Sequence, residues 1–142
     1  MGNGFKAQEA SRNSAKNVMG KNREGWLALF DENAVLQDPV GVSPLDPTGE
    51  GHKGKAAIAG FYDKMIAPGT INMEIVQSHP CGDECANVVK LTNDLGHGMV
   101  IHTDMVAVYK ANDEGKIVSL RVFWEYKKVE EQMAKFMGGR KK

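Results

Sequence analysis

The feature that most restricts the fold of this chain is a change of hydrophobic period at Pro68-Gly69. Upstream, apolar residues recur mostly at helical spacing. Downstream, Ile71 to Ser78, Ala86 to Thr92, Met99 to Ala111 and Lys116 to Tyr126 read as strands, with alternation or short Val- and Ile-rich runs. Turn signals at CGDE, NDLGHG and NDEG separate them, and Asn112-Asp113-Glu114-Gly115 reads as a hairpin turn. Helices followed by consecutive antiparallel strands predict an α+β fold: a cone in which a strongly curved antiparallel sheet wraps three N-terminal helices. A short C-terminal helix is expected over Val129 to Met137. With 142 residues the chain is expected to form a single domain, 1-142, with one core and so at most one principal pocket, residues 1-4 and 138-142 fraying.

Phe5 to Met19 predicts a first helix whose apolar positions are small and sparse, so it lies over something rather than through it, and Gly20 is its stop. Asn22 followed by Glu24 reads as the cap and first-turn acid of a second helix. That helix carries Trp26, Leu27, Leu29 and Phe30 on a wide apolar face and ends at Asp31-Glu32-Asn33. A short strand, Ala34 to Leu36, leads to Asp38-Pro39 and a Pro- and Gly-rich loop. The third helix enters at Gly54 and runs to Ile66, with Ile58, Phe61, Tyr62 and Met65 on one side. A residue before proline is pushed toward extended backbone, and Pro39 offers no amide donor, so Asp38 is held at a strand end, at the mouth of whatever that strand borders.

Parity decides which strand residues share a face. Val118, Leu120, Val122 and Trp124 are uniformly apolar and suit an interior; Arg121 and Phe123 lie opposite. In the preceding strand, Thr103, Met105, Ala107 and Tyr109 oppose His102, Asp104, Val106 and Val108. Both of those sets carry apolar residues, so the inner set stays open, and a bulge would invert it. The 18 basic and 18 acidic residues cancel, which argues against nucleic acid or an anionic membrane and fits a small uncharged ligand. With no apolar run long enough for a leader or a span, the expected location is the cytoplasm. His79, Cys81 and Cys85 have the chemistry of metal ligands, but three candidates do not close a structural site, and the plainer reading is reduced thiols in a loop between strands.

The helix NREGWLALFDENA, the strand-end acid in LQDPVG, the helix GKAAIAGFYDKMI and the final hairpin NDEGKIVSLRVFWE together resemble the ketosteroid isomerase branch of the nuclear-transport-factor-2-like superfamily, over nearly the whole chain. That branch sits beside polyketide cyclases, scytalone dehydratase and limonene epoxide hydrolase. The resemblance implies that Asp38 is a general base, taking a proton from carbon beside a ketone and returning it two bonds away, without cofactor or metal. It places Tyr62 at a supporting tyrosine and Trp124 at a pocket tryptophan. In the family a Tyr and a protonated Asp donate to the developing oxyanion; here those positions hold Ser14 and Ala107. Asp104 or His102 would stand in for the lost acid only if a bulge shifted their strand. The catalytic candidates are therefore Asp38 and Tyr62, and the ligand-binding candidates Ser14, Trp26, Phe61, Met105, Ala107, Leu120, Val122 and Trp124. The expected ligand is small, apolar and steroid-like. The loop from Val42 to His52, with Asp46 and Glu50, reads either as a lid beside Asp38 or as a surface insertion. A homodimer through the outer sheet face, around Arg121 and Phe123, is expected. The competing reading is a carrier for a steroid- or polyketide-like ligand, or a cyclase, dehydratase or hydrolase of the same superfamily.

Overall fold

The computed structural model describes residues 2–140. The first helix, α1 (Gly4–Met19), buries Ala7, Ala10, Ser11, Ser14, Ala15 and Val18, a stripe of small side chains that lets it lie close against the sheet. Its start is tied down rather than frayed: the Gly4 amide donates to Gly82 O at 2.8 Å and the Asn3 amide to Asp83 Oδ1 at 2.8 Å. A Cβ at position 4 would stand 3.0 Å from the Cys81 amide nitrogen, so glycine permits this approach.

Asn22 caps α2 (Arg23–Leu27) by accepting from the Gly25 amide at 3.0 Å, as expected. The helix stops earlier than its apolar run predicts. Phe30 and the polar triplet Asp31-Glu32-Asn33 belong to β1 (Phe30–Gln37), where Phe30, Ala34 and Leu36 are buried. A register shift between Phe30 and Val35 breaks the alternation, and this made the segment look like a helix end. After β1 comes β2 (His52–Lys53); α3 (Lys55–Phe61) and a π-helical turn, Tyr62–Ile66, then fill the span expected for the third helix.

β3 (Thr70–Cys81), β4 (Glu84–Asp94), β5 (Val100–Ala111) and β6 (Ile117–Phe123) follow, and the six-stranded sheet has the order β2-β1-β6-β5-β4-β3. The fold is α+β, as the sequence predicts, and one pairing makes the sheet mixed: β1 runs parallel to β6, the other pairs being antiparallel. Cys81 and Cys85 lie in paired strand ends rather than in a loop, and both are free thiols. The turn after β5 is built as expected, with Asn112 Oδ1 accepting from the Glu114 and Lys116 amides, both at 3.0 Å.

Because β6 ends at Phe123, the first residues of β5 have no strand on that side. The last helix, α4 (Tyr126–Arg140), covers this edge, and Gln132 bonds His102 as a strand neighbour would, accepting from its amide at 2.8 Å and donating to its carbonyl at 2.7 Å. The helix is longer than expected: the segment taken to fray from Gly138 is helical as far as Arg140, and residues 141–142 lie outside the described residues. The core gathers Trp26, Phe30, Leu36, Ile58, Ile117 and Leu120 between helices and sheet, each worth about 1.5–3 kcal/mol relative to exposure. Among the described residues no helix is long and apolar enough to cross a membrane.

Candidate active site

Strand register divides the inner sheet face into levels. At the closed end Leu36 pairs with Leu120, Leu120 with Tyr109 and Tyr109 with Cys85, all buried. One step outward Val122 pairs with Ala107, and the Val40 amide donates to Val122 O at 2.9 Å, which brings Asp38 to this level. Further out stand Met105 and Trp124, half-buried, with Met65, Ile66, Met73 and Leu91 packed in the same partly covered way. The interior is therefore solid at one end and accessible at the other. A hollow of about 550 Å³ lies beside α4 and the first residues of β5, bordered by Val40 and Trp124, by His102, Asp104 and Phe123 of the outer face, and by Lys128, Val129 and Gln132 of α4; Asp38 and Met105 are not part of its lining.

Asp38 is half-buried just past the end of β1, and Trp124 Nε1 donates to its Oδ1 at 2.5 Å. Burial raises its pKa to about 6, against the smaller lowering effect of the indole hydrogen bond. A carboxylate so placed accepts a proton more readily than one in water yet remains mostly ionised near neutrality, which suits a general base. The parallel pairing of β1 with β6 is what brings strand ends 38 and 124 together.

Of the other predicted residues, Trp26, Ala107, Leu120 and Val122 are buried on the inner side, and Met105 is half-buried there. The open question of parity resolves toward Thr103, Met105, Ala107 and Tyr109. No register shift interrupts β4 against β5, so His102 and Asp104 stay on the outer face and do not replace the lost acid. Tyr62 is buried with its ring 5.5 Å from that of Trp26. Phe61 packs against His52, ring centroids 5.2 Å apart, and His52 Nε2 is enclosed without a hydrogen-bond partner. Ser14 lies at the closed end, accepting from Trp26 Nε1 at 3.0 Å and from the Tyr109 hydroxyl at 3.1 Å. The loop after Pro39 folds on itself around buried Asp46, whose carboxylate accepts from the Gly49 and Gly51 amides at 3.2 and 2.8 Å.

Sequence reasoning assigned no role to Tyr109, His52, Val40 or Gln132. Tyr109 had a signal: in its strand it is the inward residue beyond Ala107 and the one with a polar tip. The others depend on pairings that the sequence does not display.

The SnoaL-like domain family matches residues 14–120. The chain belongs to this family. Solved structures agree. A Δ5-3-ketosteroid isomerase from a Mycobacterium species is 35% identical with a TM-score of 0.81, the match covering 86% of this chain and 95% of that one. Rv0760c from Mycobacterium tuberculosis, solved in complex with estradiol-17β-hemisuccinate, is 33% identical with a TM-score of 0.81 over 86% of this chain and 95% of that one. The epoxide hydrolase/cyclase-like enzyme SalBIII, 22% identical with a TM-score of 0.74 over 87% and 94% of the two chains, shares the fold. No curated protein sequence matches. This SnoaL-like chain thus has the cone fold of the nuclear-transport-factor-2-like superfamily, with ketosteroid isomerase-like proteins among its structural neighbours.

Proposed function

We propose that this SnoaL-like protein isomerises a small, flat, apolar ketone of steroid type by moving a proton next to its carbonyl, with Asp38 as the general base. The observation that carries the reading is the Asp38 carboxylate at the accessible end of an apolar interior, fixed by Trp124 and with its pKa raised to about 6. In the reaction Asp38 takes a proton from the carbon between C=O and C=C, and the electron pair passes to the carbonyl oxygen as a dienolate. The carboxylic acid so formed returns the proton two carbons along, leaving a conjugated enone and the original carboxylate. Phe61, Met105 and Val122 supply apolar walls, Trp124 orients the base, and Tyr62 supports the site from beside Trp26. Holding base and carbon together replaces a bimolecular encounter.

The test is absorbance at the conjugated-enone band with an unconjugated ketosteroid as substrate. Turnover that disappears in Asp38→Asn, with the fold intact, supports the proposal; Asp38→Asn protein that turns over like the wild type removes it. The second reading, a carrier, is favoured by Ala107, which offers a methyl at the level of Asp38 and no charged or acidic donor. Binding of the ketosteroid without conversion would select it. On the outer face Val76, Val106 and Phe123 are exposed, with Arg121 5.1 Å from the Phe123 ring centre, and this patch supports the expectation of a homodimer.

A further inference from the structure

The helix α4 sits on the sheet without becoming part of the core. Among its described residues none is buried: Tyr126, Val129, Gln132 and Phe136, spaced to share one helix face, are half-buried, and the others are exposed. Met133 and Met137, beside that stripe, are 41% and 49% exposed, so the helix carries more apolar surface than its seat covers. The hollow of about 550 Å³ lies between Lys128 and Val129 on the helix and His102, Asp104 and Phe123 on the sheet.

Gln132 fastens the helix across this gap. Its side-chain amide accepts from the His102 amide at 2.8 Å and donates to the His102 carbonyl at 2.7 Å, on an edge that β6 has already left. Ladder bonds between strands open only when the strands part, whereas two bonds made by one side chain open when that side chain rotates, and each is worth little net. The fastening also lies on the rim of the interior, since His102 is flanked by the inward residues Ile101 and Thr103, with Met105 next in that row.

The other end of α4 is a joint. β6 stops at Phe123 and the helix starts at Tyr126, leaving Trp124 and Glu125 in neither. Trp124 is held from two sides: its indole donates to Asp38, and its ring lies 6.0 Å from that of Tyr126, the first residue of the helix. A swing of α4 about this joint draws Tyr126 away from the indole that fixes the carboxylate.

We propose that α4 is a cover hinged at Trp124-Glu125 and latched by Gln132, which opens to admit the ligand and, when latched, holds Trp124 on Asp38. Gln132 is thus a positioning residue, acting through the helix and Trp124 on the base. This rests on the proton-transfer reading for what the held carboxylate does. The exposed methionines suit such a part, because their flexible side chains pack as well in one seat as in another.

The experiment is hydrogen exchange followed by NMR on the intact chain, with and without a conjugated 3-ketosteroid, in the wild type and in Gln132→Met, which keeps the bulk and loses both bonds. By strand alternation the Ile101 and Thr103 amides face β4, so they report opening of the sheet, while the His102 amide reports the latch. In the free wild type His102 is expected to exchange faster than either neighbour, and the ketosteroid is expected to slow it. In Gln132→Met the His102 amide should exchange about 10- to 100-fold faster with Ile101 and Thr103 unchanged. The Trp124 indole proton should also exchange faster there, the core Trp26 indole, bonded to Ser14, serving as control. His102 exchanging only in step with Ile101 and Thr103 overturns the proposal, as does bound ketosteroid that leaves His102 unprotected, or a Trp124 indole indifferent to Gln132→Met. Asp38→Asn separates the two ideas: wild-type turnover in that variant removes the proton-transfer reading, while the free-protein comparison of His102 with its neighbours still decides the latch.

Discussion

The two ends of the inner sheet face are made by the same strands and differ in what they leave open. At the closed end Leu36, Leu120, Tyr109 and Cys85 are buried, and Ser14 gathers the polar tips; at the other, Met105, Trp124 and Asp38 stay partly accessible. The difference shows how one curved sheet separates stability from chemistry. A side chain two residues along a strand moves from a site where removal leaves a cavity to one where it changes what a ligand meets.

The largest expected effect sharpens this division. Asp38→Asn should lower enone formation by roughly 100- to 10,000-fold while chemical denaturation shows no loss of stability. A parallel loss of stability would make Asp38 a structural acid. At the closed end Leu36→Ala and Leu120→Ala should each cost about 2–5 kcal/mol in denaturant unfolding, because dense packing leaves a cavity. Met105→Ala, at the accessible end, should cost clearly less, and equal costs would erase the distinction between the ends. Trp124→Phe should move the acidic limb of the rate profile to higher pH, since the indole bond holds the Asp38 pKa down. A profile that does not move would show that this bond leaves the base unaffected.

The smallest effect concerns stability and pH. The folded-state pKa of Asp38, about 6, lies above its ordinary value of 3.8, so between these values the folded chain holds a proton that the unfolded chain has released. Folding stability from this group is therefore greatest below the ordinary value and is lost as pH rises toward 6. Asp38→Asn should remove that dependence and be more stable at neutral pH by on the order of 1 kcal/mol, a modest figure for a half-buried group. A pH dependence that persists unchanged in the variant would assign it to other groups.

Much of the fold was legible because helices and strands write their periods into sequence. The cap at Asn22, the strand-end acid Asp38 and the inward Leu120 and Val122 follow from local chemistry and alternation. What was not legible depends on pairing. The polar triplet Asp31-Glu32-Asn33 hides a strand whose register shifts, and nothing near Asp38 announces that its strand runs parallel to the one ending at Trp124. Gln132 finding the free edge at His102, and Tyr109 reaching Ser14 across 95 residues of sequence, are tertiary events of the same kind. The family resemblance identified Ser14 and Ala107 as departures, but only the packed interior shows that a second hydroxyl meets Ser14.

The most direct test of Asp38 as the base is the pH dependence of kcat/KM for enone formation from an unconjugated ketosteroid. The account predicts an acidic limb of unit slope with its midpoint at about 6, absent from the residual rate of Asp38→Asn. A midpoint near the ordinary carboxylate value of 3.8, or a limb that survives in Asp38→Asn, would contradict it.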